Sequence, residues 1–168
     1  MTKTLILVRH ATAEDASLTR SDFDRRLVEK GKEESQTMAH WLMDLGYRPE
    51  VYMSSSAARA LQTAELIAQV IGADSRAIIQ DRDIYDAGSR GYLHALNETP
   101  EPATSLLLVG HNPDISFFAD YLSPGHIGSM KKAGIVILEF EVATWAEISY
   151  SSGNFKIYMT PKQLREGL

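Results

Sequence analysis

The chain contains no cysteine. That excludes disulfide staples, thiolate nucleophiles and any metal site built on sulfur ligands. It also lacks an apolar stretch of membrane-spanning length, and its N-terminus reads as a strand without a small-residue cleavage site. A location in the cytoplasm is therefore expected, with no membrane partner. A net charge of -5 over 168 residues offers no general attraction for nucleic acid, so any anion has to be held by a local basic cluster. The five histidines show no metal-ligand spacing. Neither repeats nor a linker-like tract divide the sequence, and its length suits one domain over residues 1–168.

What is present is a buried-strand pattern that ends in chemistry. Leu5-Ile6-Leu7-Val8 is a continuous apolar run, the mark of a strand covered on both faces, and it stops at Arg9-His10-Ala11-Thr12. Leu106-Leu107-Leu108-Val109 repeats the pattern and stops at Gly110-His111-Asn112-Pro113. Between them, Leu27 to Leu45 reads as a helix closed by Gly46, and Val51-Tyr52-Met53 as a short strand. Ser54-Ser55-Ser56 supplies candidate N-caps for a helix running to Ile71 and closed by Gly72. Ala77 to Ile79 reads as a strand, Asp81 to Gly88 as a loop, and Gly91 to Leu96 as a short helix. Asn112 as N-cap and Pro113 at the first helical position predict a helix to Leu122. Ile135–Phe140, Trp145–Tyr150 and Phe155–Met159 read as antiparallel strands. The expected fold is α/β: a three-layer α/β/α sandwich around a mixed, mostly parallel sheet.

Such sheets bind ligands outside the carboxyl ends of their strands. Three strand ends carry Arg9 and His10, Arg59 on the first turn of the next helix, and His111. Two guanidinium forks, a second imidazole and two helix N-termini describe a pocket for a dianionic phosphate centred on His10. Thr12 follows closely and is a candidate phosphate contact or a cap of the strand exit. Arg25 and Arg26 reach either the pocket rim or Asp22 and Asp24. His40, His94 and His126 read as structural. Met38, Trp41 and Met43 read as core or interface, and Lys131-Lys132 reads as a solvated pair, recruitment of a phosphoprotein being the sharper alternative.

Three blocks then carry a resemblance over nearly the whole chain: Leu7-Val8-Arg9-His10-Ala11, Ser54 through Ala64, and Val109-Gly110-His111-Asn112-Pro113. In order and spacing they resemble the signatures of the histidine phosphatase superfamily, the phosphoglycerate mutase-like fold. The stretch Asp22-Phe23-Asp24-Arg25-Arg26-Leu27 through Gly31 is similar to the short bacterial SixA-like phosphohistidine phosphatases. The resemblance implies His10 as the nucleophile that becomes phosphorylated and Arg9, Arg59 and His111 as the phosphate-binding groups, with no metal and no cofactor. It also implies an acid after the third strand, for which Asp86 is the candidate and Asp83 the second. The sequence departs from the family pattern at Arg26 and Ser56, where proline is usual. It departs again at Val28, where a threonine usually caps the helix, so that helix is expected to start less firmly. The implied activity is a phosphatase, with protein-borne phosphohistidine as substrate. A small-molecule phosphomonoesterase and a non-catalytic phosphate-binding regulatory domain stand as alternatives.

Overall fold

The computed structural model describes residues 1–16 and 20–167; the part of the Glu14–Arg26 loop at 17–19 lies outside the described residues. Six strands form one sheet in the order β3-β2-β4-β1-β5-β6. They are β1 (Thr2–Arg9), β2 (Val51–Ser55), β3 (Ile79–Asp81), β4 (Ser105–Gly110), β5 (Ile135–Glu141) and β6 (Asn154–Met159). The first four run parallel, β5 lies antiparallel to β1, and β6 antiparallel to β5. The mixed, mostly parallel sheet is as the sequence predicts.

Side-chain alternation along β1 splits the interior into two cores. Leu5 and Leu7 face a core completed by helices α4 (Gly88–Asn97) and α5 (Asp114–Leu122) and by Trp145. Ile6 and Val8 face the other, completed by α1 (Glu29–Asp44) and α2 (Ala58–Ile71). Helices thus cover both faces, which explains why the central strands are apolar without interruption. A four-residue helix, α3 (Asp83–Asp86), and a five-residue one, α6 (Pro161–Arg165), complete the chain.

Local differences from expectation have physical causes. Trp145 to Tyr150 is not a strand. Trp145–Glu147 forms a 3₁₀ turn that buries the indole, whose Nε1–H donates to the Ala103 carbonyl at 2.8 Å. The carbonyls of Trp145 and Ile148 accept from the Asn97 side chain in place of a ladder. The third strand starts at Ile79, after a 3₁₀ turn at Ser75–Ala77. The Asp81–Gly88 segment contains α3, and the helix expected at Gly91 begins at Gly88. None of Ser54, Ser55 or Ser56 is the N-cap of α2. That position is Ala57, whose N–H donates to Ser55 Oγ at 3.1 Å. Pro113 takes the N-cap position of α5, and Asn112 instead donates to Ser129 and Met130.

Val28 is the N-cap of α1 and gives it no side-chain cap, as the departure from threonine predicts. Packing replaces the cap. A Cβ at Gly31 would lie 2.0 Å from the Thr12 carbonyl oxygen, so glycine alone lets α1 rest on the loop after β1. One turn on, the Glu34 carboxylate accepts from both the N–H and the hydroxyl of Thr12, at 3.0 and 2.8 Å.

Candidate active site

The register fixes which residues share an edge. Arg9 pairs with Gly110, and Ser54 with Val109, so the exits of β1, β2 and β4 lie side by side. Because β5 is antiparallel, Val8 pairs with Ile135, and Ile135 in turn with Met159. The start of β5 and the end of β6 therefore open on that same edge.

At its centre stands His10, only 7% exposed. Its Nδ1 lies 2.8 Å from the carbonyl oxygen of Ala11, a group that can only accept, so Nδ1 carries the proton and Nε2 keeps the lone pair. Arg59 Nε donates to that Nε2 at 3.3 Å. Burial pushes His10 down to about 3, opposed by the Ala11 hydrogen bond and reinforced by His111, Arg59 and Arg9. The imidazole is therefore neutral across the physiological range, the state a nucleophile needs.

Thr63 holds Arg59 against this loop. Its hydroxyl donates to the Arg59 carbonyl at 2.8 Å and accepts from the Ala11 N–H at 3.1 Å. His111 lies with its ring centroid 5.2 Å from that of His10. Its backbone is seated by Tyr92, whose hydroxyl oxygen accepts from the His111 N–H at 2.8 Å, and its Nε2 meets Ser55 Oγ at 2.7 Å. Gly110 makes room for that tyrosine, since a Cβ there would lie 2.3 Å from its hydroxyl. Burial and then Arg59 push His111 down to about 4. Its buried Nδ1 has no hydrogen-bond partner among the described residues, nor has Arg9 Nε. Arg9 Nη1 donates to the Met130 carbonyl at 2.9 Å.

The four residues Arg9, His10, Arg59 and His111 thus come together. Thr12 is committed to Glu34. Asp86 sits outside the hydrogen-bonded cluster: half exposed, it accepts from Arg82 Nε at 3.3 Å. Its neighbour Tyr85 enters the site instead, edge-on to His111 at 5.6 Å between centroids.

The carboxylate in the cluster is Asp22, on the 3₁₀ turn Asp22–Asp24. Its Oδ2 accepts from Arg59 Nη2 at 3.1 Å and from the Tyr85 hydroxyl at 2.8 Å, and its Oδ1 from Arg25 Nη1 at 2.8 Å. The Asp22 carbonyl accepts from Arg59 Nη1 at 2.7 Å. Burial alone raises its pKa, but the bonds from Arg25, Tyr85 and Arg59 outweigh that and hold it at about 2. Asp22 and Tyr85 were not legible as site residues. Asp22 lies within the family-like stretch, but nothing in the sequence ties it to an arginine 37 residues on. Among the described residues, no group of three or more His, Cys, Asp or Glu is placed to hold a metal, and no helix is long and apolar enough to cross a membrane.

Known proteins resemble the chain in sequence and in fold. Residues 5–87 match the histidine phosphatase superfamily (branch 1). An uncharacterized protein of Picosynechococcus sp. is 34% identical over 137 residues, covering 79% of this chain and 82% of the relative. The fold matches a protein of Agrobacterium tumefaciens assigned as the phosphohistidine phosphatase SixA, with a TM-score of 0.80 and 27% identity over 95% of this chain and 98% of the other. A protein of Nakamurella multipartitia, likewise assigned, shares the fold at a TM-score of 0.82 and 24% identity, covering 96% of this chain and 97% of the other.

Proposed function

The chain belongs to the histidine phosphatase superfamily, in its SixA-like branch, and from that membership we propose that it hydrolyses protein-borne phosphohistidine through a phospho-His10 intermediate. The observation that carries this reading is the fixed tautomer of His10, with Nδ1 on the Ala11 carbonyl and Nε2 toward Arg59.

In the first step the Nε2 lone pair of His10 attacks phosphorus and the P–N bond of the substrate breaks. The substrate imidazole departs neutral when its other nitrogen is protonated. In the second step water attacks phospho-His10, the Nε2–P bond breaks, and His10 leaves as neutral imidazole because Nδ1 has kept its proton on Ala11. Water's protons pass to the released phosphate and to solvent. Arg9 and Arg59 neutralise the phosphoryl oxygens and the neutral His111 imidazole helps to orient them through its unpartnered Nδ1, so the charge work needs no metal. Arg59 must exchange part of its bond to Asp22 for the phosphate, and the carboxylate and the incoming anion compete for it.

Neither step with phosphohistidine requires a general acid. An ester is different, since its alkoxide has to be protonated on departure. Asp22 is held ionised and is a poor donor, which leaves Asp86 the proposed acid, on the exposed turn beside Arg82. This supports P–N over P–O substrates. The test is turnover of a phosphohistidine peptide beside a panel of sugar and nucleotide phosphates, for wild type and His10→Ala. Wild type is expected to favour the peptide and the variant to be inactive on every substrate. Preference for an ester would transfer the assignment to a small-molecule phosphomonoesterase. Absence of any hydrolysis would leave a phosphate-binding regulatory domain.

A further inference from the structure

On the other side of Arg9 from Arg59 and His111, the same sheet edge opens into a groove of about 570 Å³. Its walls are fastened to the nucleophile's own backbone. The Ala133 N–H donates to the carbonyls of Arg9 and His10 at 3.0 and 3.2 Å, and Arg9 itself bonds the Met130 carbonyl. The Lys131 N–H donates to the Tyr158 hydroxyl at 2.7 Å, tying that wall to the end of β6. The opposite wall is the first turns of α1, which Gly31 and Glu34 press against Thr12.

The lining carries six cations, Arg9, Lys30, Lys131, Lys132, Lys162 and Arg165, against one carboxylate, Glu34, which is already engaged by Thr12. Such a concentration stands out in a chain of net charge -5, which as a whole repels an acidic partner. The six sit on four separate segments: the exit of β1, α1, residues 131–132, and α6. They are spread along the groove, which suits a row of carboxylates better than one compact polyphosphate. The half-buried Tyr158 ring adds apolar contact surface between them. With strands about 4.8 Å apart, β6 lies roughly 10 Å from β1, about three residues of extended chain from the phosphoryl group.

We infer that this groove docks an acidic polypeptide segment flanking the phosphohistidine of the substrate protein, with Arg9 shared between groove and catalytic pocket. The inference rests on the proposed phosphohistidine phosphatase reading and adds to it the charge of the partner.

The test uses the full chain and the triple variant Lys131→Ala/Lys132→Ala/Lys162→Ala. Fluorescence anisotropy follows a labelled, unphosphorylated Glu-rich peptide and its Gln counterpart, a readout independent of catalysis. Wild type is expected to bind the Glu peptide at least about tenfold more tightly than the variant does, and more weakly as salt rises. In parallel, kcat/KM on an acid-flanked phosphohistidine peptide should fall at least about tenfold in the variant, with phosphoramidate turnover held within about twofold. Equal wild-type affinity for the Glu and Gln peptides would overturn the inference. So would inorganic tripolyphosphate binding the groove while the Glu peptide does not, which would mark a small-polyanion site. If wild type fails on phosphoramidate as well, the catalytic reading falls, and the anisotropy still decides the groove.

Discussion

The two sides of β1 are built differently. Toward β4 and β2, nearly every polar group is committed: Arg59 spends its donors on His10 and Asp22, Asp22 takes Arg25 and Tyr85, and His111 meets Ser55. Toward β5 and β6, the lysines stand in solvent, and the ion pairs there among the described residues are Lys162 with Glu166 at 4.0 Å and Lys156 with Glu139 at 3.5 Å. The first arrangement is preorganised, as holding one phosphoryl group in a single orientation requires. The second can only attract and orient. Chemistry is expected from the committed side and partner choice from the solvated one.

Substitutions can break that division, and the largest effect belongs to the nucleophile. His10→Ala is expected to lower turnover on phosphoramidate by about 10⁴-fold or more in steady-state assays. A residual rate near wild type would make His10 a bystander. Next comes Arg59→Ala, which removes the group facing both Nε2 and phosphate. A kcat loss of about 10²- to 10³-fold is expected, typical of one preorganised donor to developing charge. If only KM moved, Arg59 would bind without stabilising the transition state.

A smaller effect is thermodynamic. The unfolded chain binds a proton on each histidine below about pH 6.5, whereas folded His10 and His111 refuse it until about 3 and 4. Stability is therefore full above that range and declines as pH falls through it. Each histidine contributes a slope of about 1.4 kcal/mol per pH unit at most. His10→Asn should remove one of the two slopes in denaturant titrations between pH 6 and 4. An unchanged pH profile would mean that His10 is protonated in the folded state. The smallest expected effect falls on Asp86→Asn: about tenfold or more on an ester substrate and within about twofold on phosphoramidate. Equal losses on both would show that the P–N preference does not come from the leaving group.

These contrasts also show what the sequence could reveal. Apolar runs ending at Arg9-His10 and Gly110-His111 are legible because a strand buried on both faces has no polar residue until it exits. The missing side-chain cap of α1 is legible in Val28. The 3₁₀ turn at Trp145 is not legible, because a β-rich composition does not show where an indole N–H finds its partner, and Ala103 supplies that partner from far away in sequence. Asp22 and Tyr85 join the site through contacts 37 and 63 residues apart, which no local spacing encodes. Asp86 stands out in the sequence by its place after the third strand. The turn of α3 gives Tyr85 the inward position and pairs Asp86 with Arg82.

The central claim is that His10 carries the phosphoryl group on Nε2 while Nδ1 keeps its proton on Ala11. The most direct measurement is rapid quench of wild type turning over phosphoramidate, followed by ³¹P NMR and peptide mapping of the trapped protein. An acid-labile phosphate on Nε2 of His10, absent from His10→Ala, is the predicted result. Label on Nδ1 or on another residue, or steady turnover with no trapped phosphate, would contradict it.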